Sequence, residues 1–159
     1  MIVSNTTPLS SLLKIGQVGL LERLYGRVAI PTEVADELDQ AGSVHQGWRD
    51  QAGFVHIEAT ALGDPVLQLL MAEVDPGEAA AIALAVCSAS DLLIIDDMEG
   101  RRLAQRLGLS ITGTVGVVLA AAERNLIDDA FAMLELLRTH GGLWLTDSFL
   151  DSLRSSYRS

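Results

Sequence analysis

The sequence predicts an α/β fold in which a central parallel sheet is flanked by helices on both faces. Short apolar runs alternate with helical patterns along the chain, and strands joined through helices pair in parallel by right-handed crossovers. The run 92–95 contains no polar residue, which is typical of a parallel strand buried on both faces. We expect residues 1–159 to form a single domain, since a chain of this length can bury a substantial core.

Each element has a local reason in the sequence. The predicted strands are short and apolar, at 2–4, 28–30, 54–57, 92–95, 109–111 and 143–145. Helices are predicted between them, including 66–71 and 127–137, and several begin at residues that favour a helix start: Thr7 with Pro8, Pro31 with Thr32, Asp75 with Pro76, and Thr146. Residues 41–53 carry three glycines among polar residues and are predicted to be a loop.

The composition narrows the classes of function. The net charge is −10 and the sequence pI about 4.5, which argues against non-specific binding of nucleic acid through a basic surface. The same charge fits a site that needs divalent cations, a basic partner, or simple solubility. Cys87 is the only cysteine, and no signal peptide or membrane-spanning run is found, so we expect a cytoplasmic protein.

Several common catalytic motifs are missing. Lys14 is the only lysine, which excludes a P-loop and disfavours Schiff-base chemistry. The histidines at 45, 56 and 140 have no metal-ligand spacing and are expected at the surface or satisfied by hydrogen bonds. A phosphoacceptor receiver domain is also disfavoured, because it needs its acidic pair after the first strand and a lysine late in the chain.

An acidic pair, Asp96 and Asp97, directly follows the most apolar predicted strand. In open α/β sheets ligands bind beyond the carboxyl ends of the strands, and a divalent cation is the simplest relief for two adjacent carboxylates. The alternative is that an aspartate here caps the following helix. Both interpretations stay open on the sequence alone.

Two glutamates are further candidates for the same edge of the sheet. Glu78 shares a helical face with apolar residues, so its stem is expected to point inward, but Asp75-x-x-Glu78 also has the form of a capping box. Glu37 follows the second strand, with Glu33 four residues earlier on the same side. Either Glu33 or Glu37 could reach a site near the strand ends, and either could lie on a solvated helix face.

A group of arginines follows the acidic pair. Arg101, Arg102 and Arg106 form the only dense basic cluster, and they could hold phosphates beside a cation site. The alternative is that they pair with surface carboxylates, of which this chain has many.

An ordered set of motifs resembles the PIN-domain family and, within it, a prokaryotic branch of VapC-like proteins. The set consists of the opening Ile2 to Leu9, Val28 to Pro31 with the helix after it, Pro76 to Ala79, the strand end at Asp97, and the turn Thr112-Gly113-Thr114. The resemblance covers nearly the whole chain. It implies a parallel sheet flanked by helices, with acids at its carboxyl edge.

The resemblance also implies a function. Proteins of this family cut single-stranded RNA with Mg²⁺ or Mn²⁺, many are toxins held inactive by an antitoxin protein, and homodimers are common. By resemblance, Glu37 matches the second acid, Glu78 the third, and Asp96 with Asp97 the acid or acids after the next strand. Thr114 resembles the hydroxyl residue near the site, and Arg101 and Arg102 are candidates for RNA binding.

Asn5 departs from the family pattern, which places an aspartate at the end of the first strand. Asparagine offers a carbonyl oxygen but no charge, so a cation held by Asn5, Glu78, Asp96 and Asp97 is bound more weakly than one held by carboxylates alone. This departure motivates an alternative hypothesis, a PIN-like binding or interaction module with weak or no catalysis.

Overall fold

The computed structural model describes residues 1–60 and 65–158. Within them one five-stranded sheet has the order β3-β2-β1-β4-β5, and every neighbouring pair is parallel. The predicted α/β class with a parallel sheet is confirmed. The strands are β1 (Ile2–Ser4), β2 (Val28–Pro31), β3 (Val55–Glu58), β4 (Leu92–Ile94) and β5 (Ile111–Thr112).

Helices connect the strands and follow the last of them. Three begin at an aspartate whose carboxylate accepts backbone N–H groups of the first turn: Asp75, Asp97 and Asp129. Every helix in the described part of the chain is too short or too polar to span a lipid bilayer. The helices are α1 (Thr6–Lys14), α2 (Gly19–Tyr25), α3 (Thr32–Gln40), α4 (Trp48–Gln51), α5 (Pro65–Met71), α6 (Pro76–Cys87), α7 (Met98–Arg106), α8 (Thr114–Glu123), α9 (Ala130–Thr139) and α10 (Asp147–Arg158).

The core is divided by the sheet into two layers, as the uninterrupted apolar strand predicts. Along β4, Ile94 packs into the layer with α1, α2, α8 and α9, while Leu93 and the following Ile95 pack into the layer with α6 and α7. Successive side chains of a strand point to opposite faces, so a strand covered on both faces needs apolar residues at every position. Helices therefore lie on both sides of the sheet, as expected.

Some predicted boundaries are wrong. Residues 143–145 are not a strand: the Leu143 N–H donates to the Leu137 carbonyl at the end of α9, so no strand ladder forms there. The predicted loop 41–53 contains a 3₁₀ helix (Gly42–His45) and α4. The helix predicted at 127–137 begins at Ala130, and α1 begins after Asn5 instead of Thr7.

Candidate functional site

The carboxyl ends of three neighbouring strands bring predicted site residues to one edge of the sheet. The Asn5 N–H donates to the Ile94 carbonyl over 2.9 Å, which places the end of β1 beside the end of β4. On the other side, the Ile95 N–H donates to the Thr112 carbonyl over 2.8 Å, which places the end of β5 there as well. Asn5, Asp96 and Thr114 therefore follow adjacent strands, as parallel strand ends require.

Asp96 connects the end of β4 to the start of α8. Its Oδ1 accepts the Thr114 N–H over 2.7 Å, and its Oδ2 accepts the Thr114 hydroxyl over 2.5 Å. Gly113 makes this contact sterically feasible, because a Cβ there would lie 2.7 Å from Asp96 Oδ1. Thr114 is fully buried, so these bonds fix the orientation of the Asp96 carboxylate.

Asp97 caps α7. Its Oδ1 accepts the N–H groups of Glu99 and Gly100 over 2.9 and 3.2 Å. The capping interpretation of the acidic pair is thus confirmed for Asp97. Both bonds use Oδ1, and within the described part of the chain Oδ2 makes no hydrogen bond, so Asp97 keeps an oxygen with which to bind a ligand.

Glu78 is the buried acid of the site, with 8% of its surface exposed. Asp75 caps α6 by accepting the Glu78 N–H over 2.9 Å, so one half of the predicted capping box is present. The Glu78 side chain instead extends toward α7, where its Oε2 lies 3.5 Å from the position of a Cβ on Gly100. The inward orientation predicted for Glu78 is confirmed.

Electrostatics around Glu78 are unfavourable for its charge. Burial, and then the neighbouring carboxylates of Asp75, Asp97, Glu37 and Glu99, raise the pKa of Glu78 from 4.5 to about 7. All four of these charges act in the same direction. A cation bound among them would reverse the effect and favour ionised Glu78.

Glu37 reaches the site from α3. Its Oε2 accepts the Thr6 hydroxyl over 2.6 Å, and its Oε1 lies only 2.0 Å from the position of a Cβ on Gly77. Glu33, the alternative candidate on the same helix, instead accepts a hydrogen bond from Thr60. Glu37 therefore lies against the start of α6, one residue before Glu78.

The contact between Glu37 and Gly77 makes a prediction. Gly77→Ala places a methyl group on the Glu37 carboxylate and displaces that flexible, exposed side chain from Thr6. We expect the melting temperature to stay within a few degrees of the parent, because alanine also favours the helix by about 0.5–1 kcal/mol. The rate of RNA cleavage, the activity that the family resemblance implies, should fall to the rate of Glu37→Gln. Gly19→Ala is the matched control, since it also adds a methyl group in the first turn of a helix but meets no atom within 4 Å. If Gly77→Ala cleaves RNA at the rate of the parent, Glu37 does not contribute to the activity of the site.

The arginines divide into different roles. Arg101 is half-buried, and its Nη1 donates to the Ile95 carbonyl over 2.9 Å. Arg106 pairs with Glu73, as the alternative interpretation expects. Arg102 is exposed and lines a separate depression with Gln105 and Arg106. Binding of RNA by Arg101 and Arg102 stays a prediction, and the contact to Ile95 gives Arg101 a structural role.

A cleft of about 800 Å³ opens in front of these acids. The carboxylates of Asp75, Glu78, Asp96 and Asp97 line one part of it. The sequence did not predict the rest of the cleft wall, because most of its residues lie far in sequence from the acids. That wall is formed by Thr7, Met98, Val115, Gly142, Leu143, Trp144, Leu145, Thr146 and Phe149.

The donor chemistry of this edge suits a hard divalent cation, since it offers carboxylate, amide and hydroxyl oxygens. The side chains are not gathered for one as they stand. Among residues 1–60 and 65–158, no three His, Cys, Asp or Glu are grouped closely enough to hold an ion. Backbone N–H groups and hydroxyl groups of the protein donate hydrogen bonds to the carboxylates of Asp96, Asp97 and Glu37. Binding a cation therefore requires some of these carboxylates to turn toward Glu78.

The structure combines an α/β fold with an acid-lined cleft at the carboxyl edge of a five-stranded parallel sheet. A family model described as DUF3368, PIN domain, matches residues 1–158. The chain therefore belongs to the PIN-domain family, whose proteins are generally nucleases and typically bind Mg²⁺ or Mn²⁺. No curated protein matches the chain.

Proposed function

We propose that this protein is a metal-dependent endoribonuclease that cuts single-stranded RNA with Mg²⁺ or Mn²⁺. The observation that supports the proposal most strongly is Glu78, a buried carboxylate surrounded by four other acids at the wall of an open cleft. A buried carboxylate beside other carboxylates is costly to ionise unless a cation offsets the repulsion. The proposal extends to the role of a toxin that is inhibited by an antitoxin protein and forms a homodimer.

The residues proposed to hold the cation are Glu78 and Asp97, with Asp96 and the carbonyl oxygen of Asn5 completing the oxygen set. When bound, the ion would lower the pKa of a water molecule and neutralise charge on the phosphoryl oxygens. Thr114 positions Asp96 through two hydrogen bonds, and the N-terminus of α7 positions Asp97. These contacts give the site its outer support.

Glu37 and Thr6 are proposed to contribute to the reaction without binding the cation. The Glu37 carboxylate accepts the Thr6 hydroxyl and is exposed to solvent, so it is placed to orient a water molecule and to accept its proton. Its exposure distinguishes it from Glu78, whose burial favours a role as a ligand. Glu37→Gln should therefore reduce the rate of cleavage and leave Mn²⁺ affinity within severalfold of the parent.

The direct test is cleavage of single-stranded RNA in Mn²⁺ by the parent and by Asp97→Asn. We expect a loss of about ten- to a hundredfold in the variant, because the single amide oxygen can still cap α7 while an NH2 group replaces Oδ2, the oxygen left to bind the ion. Asp129→Asn is the matched control: Asp129 caps α9 through the same pattern of two backbone bonds, far from the acids in sequence. Equal cleavage by Asp97→Asn and the parent would refute the assigned site.

A second candidate function is a binding or interaction module of the same fold without catalysis. Two observations favour it: Asn5 carries no charge, and the acids in the described part of the chain are not gathered for an ion. This candidate expects no cleavage by the parent in Mg²⁺ or Mn²⁺. It also expects no cleavage after Asn5→Asp, which separates it from a nuclease that has lost one ligand.

A further inference from the structure

The most exposed large aromatic side chain of the described residues lies at the acid-lined cleft. Trp144 has 86% of its surface exposed, and it lines the cleft together with Phe149 and Met98, which are also exposed. A tryptophan left in water forgoes a large burial energy, and a patch of such residues typically marks a binding surface. Neither the acids nor the proposed hydrolysis account for this patch.

The segment that carries Trp144 is anchored on both sides. Leu143 is buried in the core, and its N–H donates to the Leu137 carbonyl over 3.1 Å. Thr146 caps α10, since its Oγ1 accepts the Phe149 N–H over 3.0 Å. Gly142 has a positive φ of 73°, which a residue with a side chain adopts only with strain. These contacts hold the Trp144 backbone in place, so its ring is presented to the cleft at little entropic cost.

The cleft offers little attraction to a phosphate backbone apart from a metal ion. Among the described residues that line it, none is Lys, Arg or His, while four are acids. The Arg101 guanidinium is used on the Ile95 carbonyl. Lys14 approaches one end, with its Nζ 3.1 Å from the position of a Cβ on Gly142. A strand held here needs uncharged contacts to its bases in addition to the ion.

We infer that Trp144, with Phe149 and Met98 beside it, stacks on a nucleobase of a single strand whose phosphate lies at the acids. The inference rests on the proposed function, because it places the substrate of that same site. Every base has a flat aromatic face, so stacking gives affinity without sequence readout and without positive charge. A single strand is required, since the bases of a duplex are already stacked on each other.

The two tryptophans of the chain make the inference measurable. Trp48 is 4% exposed, and its Nε1 donates to Asp39, so its emission serves as an internal reference. Trp144 should give red-shifted, acrylamide-sensitive emission that a short oligoadenylate strand quenches. An abasic strand of the same length should quench much less. Ca²⁺ replaces Mn²⁺ in this titration, because Mn²⁺ itself quenches fluorescence.

Variants give the second readout, the binding of the same fluorescently labelled oligoadenylate measured by anisotropy. Trp144→Ala should weaken binding about five- to a hundredfold, and Trp144→Phe should recover most of it. Tyr157→Ala is the control, because Tyr157 is an exposed aromatic residue that lines a different depression. The slope of log affinity against log salt should be shallower than about −1, since few phosphates are neutralised.

Three results would overturn the inference: equal binding by Trp144→Ala and the parent, equal quenching by the abasic strand, or shielded Trp144 emission in a free dimer that Trp144→Ala dissociates. The last result would assign the patch to a second copy of this chain. Failure here is distinguishable from failure of the proposed function. Cleavage that persists with unchanged affinity in Trp144→Ala refutes stacking alone, whereas quenching by RNA without any cleavage refutes the nuclease alone.

Discussion

Glu78→Gln is expected to reduce RNA cleavage on the order of a thousandfold while making the metal-free protein more stable at pH 8. The loss of activity follows from removing the central buried ligand of the proposed cation. The gain in stability follows from the surroundings of Glu78, which raise its pKa to about 7 by burial and by repulsion from Asp75, Asp97, Glu37 and Glu99. Removing the charge of this buried carboxylate should stabilise the fold at pH 8 by about 1–3 kcal/mol.

The raised pKa of Glu78 also predicts how the stability of the parent changes with pH. In the unfolded chain Glu78 titrates near its ordinary value of 4.5, and in the folded chain near 7. Between these values the folded state keeps a proton that the unfolded state has released, so the parent should lose stability as pH rises from about 4.5 to about 7, with no further change above. Glu78→Gln should lack this decline.

Urea unfolding at pH 5 and pH 8 in a chelator measures this effect. Glu22→Gln provides the control, because Glu22 is an exposed glutamate on α2 and lies outside the site. If Glu78→Gln shows the same decline as the parent, Glu78 is not the group that titrates. In that case the electrostatic argument for a cation at this position loses its main support.

Asn5→Asp is expected to tighten Mn²⁺ binding about ten- to a hundredfold and to destabilise the protein without metal. Asn5 is buried at the end of β1, beside the end of β4, and its side chain does not cap α1. A carboxylate there adds a buried negative charge at the acid-lined edge of the sheet, which is favourable with a cation and unfavourable without one. The melting temperature should drop in chelator and recover when Mn²⁺ is added.

Isothermal titration with Mn²⁺ gives the affinity, and thermal melts with and without Mn²⁺ give the stability. Asn125→Asp is the matched control, because Asn125 is exposed and lies in the turn after α8. Unchanged Mn²⁺ affinity in Asn5→Asp would place Asn5 outside the metal site. Unchanged affinity together with no cleavage by either protein would support the binding module instead.

Much of the site was predictable because parallel strands align their carboxyl ends. An apolar run at 92–95 followed by two acids indicates a buried strand with its polar end at the ligand-binding edge, and the structure places Asp96 and Asp97 there. The apolar face shared by Glu78 predicts its burial. Which of two interpretations applies to each acid was not decidable, because capping and cation binding use the same residue types.

The remaining features depend on tertiary contacts that leave no periodic signal. The sequence predicts Asp75 as a helix cap, and the structure confirms it. The charge of Asp75 also raises the pKa of Glu78, which the sequence does not indicate. Residues 143–145 alternate in burial like a strand, but the sheet ends at β5 and Leu143 bonds to α9 instead. The position of Trp144 in the cleft wall depends on the hydrogen bond between Leu143 and α9. Sequence patterns alone could not predict that position.

The most direct test of the account is a crystal of the parent protein soaked in Mn²⁺ and measured at a wavelength where manganese scatters anomalously. The account predicts a peak at bonding distance from a carboxylate oxygen of Glu78 and one of Asp97, with the Asn5 carbonyl oxygen turned toward it. Carboxylates left as they are in the metal-free protein, with no peak among them at saturating Mn²⁺, would contradict the metal site and the hydrolysis proposed for it.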